Sequence, residues 1–220
     1  SSAVSDDLTS GVTQIYSTFE AFAALKEDGS VVTWGYGGNQ YSPGGGGDSS
    51  AVADNLTSGV TQIYSTYYYN AFAAVKGDGS VVTWGSNYNG GDSSAVSDDL
   101  TSGVTQIYST AGAFAALKTD GSVVTWGNPS HGGDRQVWRK GQGASGEDEA
   151  YADMSGDLSS EVTQIYSTEG AFAALKSDGS VVTWGMGDLE DGGWGPGGWT
   201  VGAQYFNGTS CSCPPKRTTE

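Results

Sequence analysis

Val12–Gly35 reads VTQIYSTFEAFAALKEDGSVVTWG, and near-copies of that phrase return at Val60–Gly85, Val104–Gly127 and Val162–Gly185. Self-similarity at a regular period marks solenoids, propellers and arrays. The copies end at Trp34, Trp84, Trp126 and Trp184. The shortest of their intervals approaches the length of a four-stranded propeller blade, roughly 40 to 50 residues. A unit this small cannot bury a core alone, so neighbouring units must share one. The chain is therefore read as one cooperative repeat domain.

Each copy predicts a run of short strands. VTQIYS is rich in β-branched and aromatic residues, bounded by Gly or Glu before it and Ser-Thr after it. AFAALK taken alone suits a helix as well as a strand. The Asp-Gly pairs that follow (Asp28-Gly29, Asp78-Gly79, Asp120-Gly121, Asp178-Gly179) lie between two apolar runs and decide for a hairpin, because the turn needs a positive φ at low steric cost. AFAALK and SVVTW should then pair antiparallel, with VTQIYS alongside. In SVVTWG, Val31 and Thr33 alternate with Val32 and Trp34, so one face should pack between units. Each buried indole will need an acceptor for its N–H. Leu8, Leu56, Leu100 and Leu158 offer a further contact per unit, preceded by an irregular connection or a short edge strand.

The expected fold is all-β, a β-propeller-like array of four blade-type repeats, either a closed small propeller or part of a larger ring. The repeat domain spans 1–185, with units at 1–48, 49–92, 93–154 and 155–185, and a Gly/Trp-rich irregular tail follows over 186–220. Residues 1–18 are available to complete the last blade, the usual way such rings remove their edges. An open arc would leave edges unpaired and should associate.

The pattern V-x-x-I, then A-F-A-A-L-K-x-D-G-S-V-V-T-W-G, then a Gly-rich turn resembles the regulator of chromosome condensation (RCC) repeat family. The likeness covers residues 1–35, 49–85, 93–127 and 155–185. It implies a β-propeller, typically of seven blades. Members of that family include a nucleotide exchange factor for a small GTPase, ubiquitin-ligase modules, a light sensor and a β-lactamase inhibitor, so the fold alone implies no single function. The present chain has four units that are nearly identical, whereas exchange activity in the family depends on blade-specific loops.

Composition narrows the functional classes. A net charge of −16 repels phosphate backbones, so no nucleic-acid partner is expected. The basic cluster Arg135, Arg139 and Lys140 is followed closely by Glu147, Asp148 and Glu149. No stretch approaches the ~20 apolar residues of a membrane span. The low-Lys, Ser/Thr/Gly-rich composition leans towards an extracellular or cell-surface setting. Cys211 and Cys213 are too few for a four-ligand zinc site and have no histidine nearby, so pairing to another chain or free thiols are expected.

Little in the chain reads as catalysis. Residues such as Thr13, Gln14, Ser17 and Thr18 recur in every unit, whereas an active site needs one asymmetric constellation. His131 is the sole histidine and sits in a turn, NPSHGGD. The carboxylate pairs Asp6 with Asp7 and Asp98 with Asp99 suit capping or solvation, and no calcium-binding repeat is present. No enzyme activity, metal or cofactor is expected.

The copies differ in two places, and function is sought there. Between Thr and Ala-Phe the second unit carries Tyr67, Tyr68, Tyr69 and Asn70, two residues more than its counterparts. The loops after Trp-Gly contribute Tyr36, Tyr41, Tyr88 and Trp138. Such rings offer apolar area with a hydrogen-bonding tip, suited to protein or sugar contacts. Asn55 and Asn207 match N-glycosylation acceptors, of interest if the protein is secreted. The leading expectation is a non-enzymatic scaffold that binds a protein partner or copies of itself. A carbohydrate-binding or adhesive module is the first alternative. Small-GTPase nucleotide exchange, implied by the resemblance alone, is the other.

Overall fold

A computed structural model describes residues 4–39, 42–43, 45–134, 136–139 and 150–185. Each copied phrase forms one three-stranded antiparallel sheet. The strands are β1 (Val12–Ser17), β2 (Ala21–Lys26) and β3 (Val31–Gly35) in the first blade. Two minimal strands, β4 (Gly38–Asn39) and β5 (Ser42–Pro43), pair beyond it. The second blade is β6 (Val60–Thr66), β7 (Ala71–Lys76) and β8 (Val81–Gly85), and the third is β9 (Val104–Ser109), β10 (Ala113–Lys118) and β11 (Val123–Gly127). After the ribbon of β12 (Gln136–Arg139) and β13 (Ala150–Asp153) comes the fourth blade: β14 (Val162–Ser167), β15 (Ala171–Lys176) and β16 (Val181–Gly185).

The expected hairpins form, with Phe22 opposite Trp34 and the same pair in every blade. Their turns are three-residue loops. In the first, Gly29 N–H donates to Lys26 O at 3.0 Å and Gly29 alone takes a positive φ, +76°. This is a type I turn closed by a left-handed residue. The aspartate before the glycine locks it: Asp28 Oδ1 accepts from Ser30 N at 2.9 Å and from Ser30 Oγ at 2.6 Å. Asp78, Asp120 and Asp178 do the same with Ser80, Ser122 and Ser180.

Those serine hydroxyl bonds, followed by the backbone N–H bonds, hold the four turn carboxyls below the usual carboxylate pKa. A folded pKa below the unfolded one adds stability that is complete above the ordinary value near ~4 and disappears as pH falls through the folded value. Thermal melts taken from about pH 5 down to about pH 2 should therefore show a falling midpoint. Changing Ser30, Ser80, Ser122 and Ser180 to Ala should flatten that fall. An equally steep fall in the quadruple variant would place the acid sensitivity elsewhere.

The cores lie between blades. Ala21, Ala23 and Leu25 of the first blade meet Ile63, Phe72 and Trp84 of the second. Ala71, Ala73 and Val75 meet Ile107, Phe114 and Trp126, and Ala113, Ala115 and Leu117 meet Ile165, Phe172 and Trp184. Alternation along each strand thus gives every blade a front face of Ile, Phe and Trp and a back face of small and aliphatic residues with one Tyr. Each front Phe stacks on its own Trp at about 5 Å, 5.2 Å for Phe72–Trp84. The indole N–H finds its acceptor in the preceding blade: Trp84 Nε1 donates to Gly46 O at 3.1 Å, Trp126 to Gly90 O at 3.0 Å and Trp184 to Gly132 O at 3.2 Å. A second bond repeats at each junction, from Val60 N to Gly29 O, Val104 N to Gly79 O and Val162 N to Gly121 O, all at 3.0 Å.

Two expectations need correcting. Where an edge strand or irregular connection was expected, the segments before the second and third blades are 3-10 helices, Ser50–Leu56 and Ser94–Leu100. Asp48 and Asp92 lead into them by accepting from the N–H groups of Ser50 and Ser94, and Leu56 and Leu100 seal the cores. Second, the described part of the N-terminal segment adds no strand to the last sheet, which is β14–β15–β16. Residues 5–8 form turns beside their own blade, where Asp7 O accepts from Lys26 Nζ at 2.9 Å.

Candidate functional site: an aromatic rim

Strand directions put both variable segments at one edge of the array. The first strand of a blade runs towards that edge, the second leaves it and the third returns. The turns at 18–20, 66–70, 110–112 and 168–170 therefore emerge beside the segments that follow Gly35, Gly85, Gly127 and Gly185. Backbone bonds tie the two sets together: Tyr36 N donates to Glu20 O, Ser86 N to Asn70 O and Asn128 N to Gly112 O, at 2.9 to 3.1 Å. The Asp-Gly turns occupy the opposite edge.

The second blade's longer turn dominates this rim. Tyr67, Tyr68 and Tyr69 are all exposed. Tyr67 meets Tyr68 edge-on with ring centroids 5.0 Å apart, and meets Phe19 of the first blade at 6.4 Å. Phe19 N–H also donates to Tyr67 O at 2.7 Å. Tyr69 points the other way and meets His131, beyond the third blade, edge-on at 5.6 Å. The result is an aromatic stripe running from the first blade to the third.

Asn70 fixes the stripe. Its φ is +54°, a left-handed value that Asn tolerates better than most residues. Its Oδ1 accepts from Thr18 Oγ1 at 2.7 Å and from Glu20 N at 3.2 Å, and its Nδ2 donates to Glu20 Oε2 at 2.8 Å. The turn is thereby pinned to the first blade, and three rings are held out to solvent. His131 is half-buried in the 3-10 turn Pro129–His131, and burial, opposed by Glu169, pushes its pKa below the usual imidazole value. Phe19 and His131 were not singled out as binding residues from the sequence. Their membership depends on which turns the blades bring together.

The other candidates fall in different places. Tyr88 is exposed on the 3-10 turn Asn87–Asn89, at the same rim. Tyr36 lies there too, partly buried. Trp138 belongs to β12, opposite Tyr151 in register, and its side chain lies outside the described residues, as do Tyr41, Asn207, Cys211 and Cys213. Asn55 is exposed on the helix Ser50–Leu56, near the opposite edge, where its carbonyl accepts from Lys76 Nζ at 3.1 Å. Among the described residues, no three His, Cys, Asp or Glu side chains gather as metal ligands, and no helix is long and apolar enough to cross a membrane.

Comparison with solved structures completes the description of the fold. Yeast RCC1 (Prp20) in its complex with Kap60 superposes with a TM-score of 0.52 at 18% identity, over 94% of this chain and 51% of that one. Prp20p from Saccharomyces cerevisiae, described with its binding to Gsp1p and histones, gives 0.52 at 18% over 98% and 53%. The fold is a blade array of the RCC1 propeller type. This RCC1-like array spans about half the length of the structures it matches. No protein-family model matches the sequence, and no curated protein matches it.

Proposed function

We propose that this chain is a non-catalytic recognition scaffold that binds a protein partner through its aromatic rim. The observation that carries the reading is the stripe Phe19, Tyr67, Tyr68, Tyr69 and His131, exposed for most of its length and held by Asn70 rather than folded into a core. Aromatic side chains standing out from a rigid support bring large contact area at low entropic cost, and Tyr is enriched among the residues that dominate binding energy. The yeast propeller of the same fold is a protein binder, described with Kap60 in one structure and with Gsp1p and histones in the other. That use of the fold supports the reading, while the partner's identity must come from this chain's own rim.

The test compares proteins retained from a native extract by the wild-type chain and by two variants. Tyr67→Ala/Tyr68→Ala/Tyr69→Ala removes the stripe, and Glu27→Ala changes the opposite edge. A hot-spot aromatic contributes about 2 kcal/mol or more, roughly 30-fold in affinity. A specific partner should bind purified wild type and Glu27→Ala alike and lose at least about that factor with the triple variant. Equal retention by all three proteins would refute the rim as a binding surface. Binding to a glycan array that depends on the three tyrosines would replace the protein partner with a carbohydrate.

A further inference from the structure

Among the described residues the four blades share three interfaces, and the front of the first blade and the back of the fourth carry the residues of the two sides of such an interface. The front of the first blade carries the same residues as the fronts of the others, yet Ile15 is 58% exposed against 2% for Ile63, and Phe22 is 42% exposed against 0% for Phe72. Trp34 stacks on Phe22 like its counterparts, but its indole finds no acceptor among the described residues. Among the described residues, Val12 likewise makes no bond of the kind that Val60, Val104 and Val162 make to a preceding blade.

The back of the fourth blade is open in the complementary way. Tyr166 is 53% exposed, whereas Tyr16, Tyr64 and Tyr108 pack partly buried against the next blade's core. Ala173 is partly exposed where Ala23, Ala73 and Ala115 are fully buried. A Cβ at Gly29, Gly79 or Gly121 would strike the following blade, while one at Gly179 would meet nothing within 4 Å.

We propose that two copies of this chain join head to tail, the back of the fourth blade of each docking on the front of the first blade of the other, to close one ring of eight blades. The occupant of each open face is specified by the interface already repeated inside the chain. Val12 N–H would donate to the second copy's Gly179 carbonyl, and Ile15 and Phe22 would cover Tyr166, Ala173 and Leu175. This chain covers 51–53% of the length of the yeast propeller chains, so two copies supply about the length of one ring. A contact that joins unlike faces either closes or grows into a filament, and that match of length argues for closure. The proposal does not draw on the rim, so either reading can fail without the other.

Light scattering after size exclusion tests it on the 220-residue chain. The wild type is expected at twice the mass of one chain. Ile15→Asp/Phe22→Asp places charge on the open front, and Tyr166→Asp/Ala173→Arg blocks the open back. Both sets fall at positions where the single chain has room for them. Each variant alone should run at the mass of one chain with an unchanged circular dichroism spectrum. Mixing the two should restore the double mass, because the mixture still holds one intact front and one intact back. Three results would overturn the proposal: a wild-type monomer, which would mean that the chain's own 186–220 segment or solvent covers the front; a dimer that survives the back variant, which would mean front-to-front pairing; and a polydisperse filament, which would mean that the contact does not close.

Discussion

Replacing Phe114 by Ala should cost about 3–5 kcal/mol of folding stability, the usual range for a buried aromatic. The ring is fully buried, stacks on Trp126 at 5.3 Å and sits beneath Gly90, whose Cβ, if it had one, would come within 2.6 Å of Phe114. Truncation therefore opens a cavity at the junction of the second and third blades and strips one face of an indole whose N–H is still held by Gly90 O. The same change at Phe22 should cost under about half as much in the single chain, since that ring is already in contact with water. Urea unfolding of both variants, at a dilution where the chain is monomeric, makes the comparison. Equal losses would mean that the stacking within a blade, rather than the covering of one blade by the next, supplies the stability.

A second comparison separates backbone strain from blade packing. Gly79 and Gly179 hold the same place in their turns, with φ of +77° and +85°. Alanine at either position is strained by about 1–2 kcal/mol. At Gly79 the new Cβ would also lie 2.6 Å from Gly103 N, beside the bond from Val104 N to Gly79 O. Forcing the blades apart there should add about 1–3 kcal/mol more. At Gly179 there is open space, so only the strain applies. Thermal melts of the two single variants under monomeric conditions should differ by that increment. Coincident midpoints would show that the close approach at Gly79 relaxes freely.

Much of this fold could be read from one repeat. The Asp-Gly pair, the alternation in SVVTWG and the β-branched run in VTQIYS marked three strands and their antiparallel pairing. What stayed hidden was everything that depends on a neighbour. Ile15 and Ile63 stand in the same motif, yet one is exposed and the other buried, because burial comes from the preceding blade and not from the motif itself. The acceptors for the indoles were hidden for the same reason: a glycine carbonyl some forty residues upstream leaves no pattern in the sequence around the tryptophan. The 3-10 helices were missed because SAVADNL and SAVSDDL are too short and too polar to show a helical period.

The candidate site was half legible. A turn two residues longer than its counterparts and carrying three tyrosines stands out, and the structure puts them at the surface. Their joining to Phe19 and His131 follows from topology, which gathers turns far apart in sequence onto one edge. Asn70 carried no such signal, since Glu20, Gly112 and Gly170 hold the matching place in the other copies and none of them takes a positive φ.

The placement of each core between two units, rather than inside one, bears on how such a chain can change its copy number. Duplicating or deleting a whole unit at an internal boundary creates or removes one complete core interface and leaves the repeated core contacts at the other boundaries as they were. No side chain in the repeat records how many units the chain should have. Only the curvature summed over successive junctions, and the meeting of first and last faces, sets a preferred count. Gene duplication can therefore lengthen this array one blade at a time at almost no cost to the folding of what is already there, while each new copy brings a fresh pair of rim loops free to diverge.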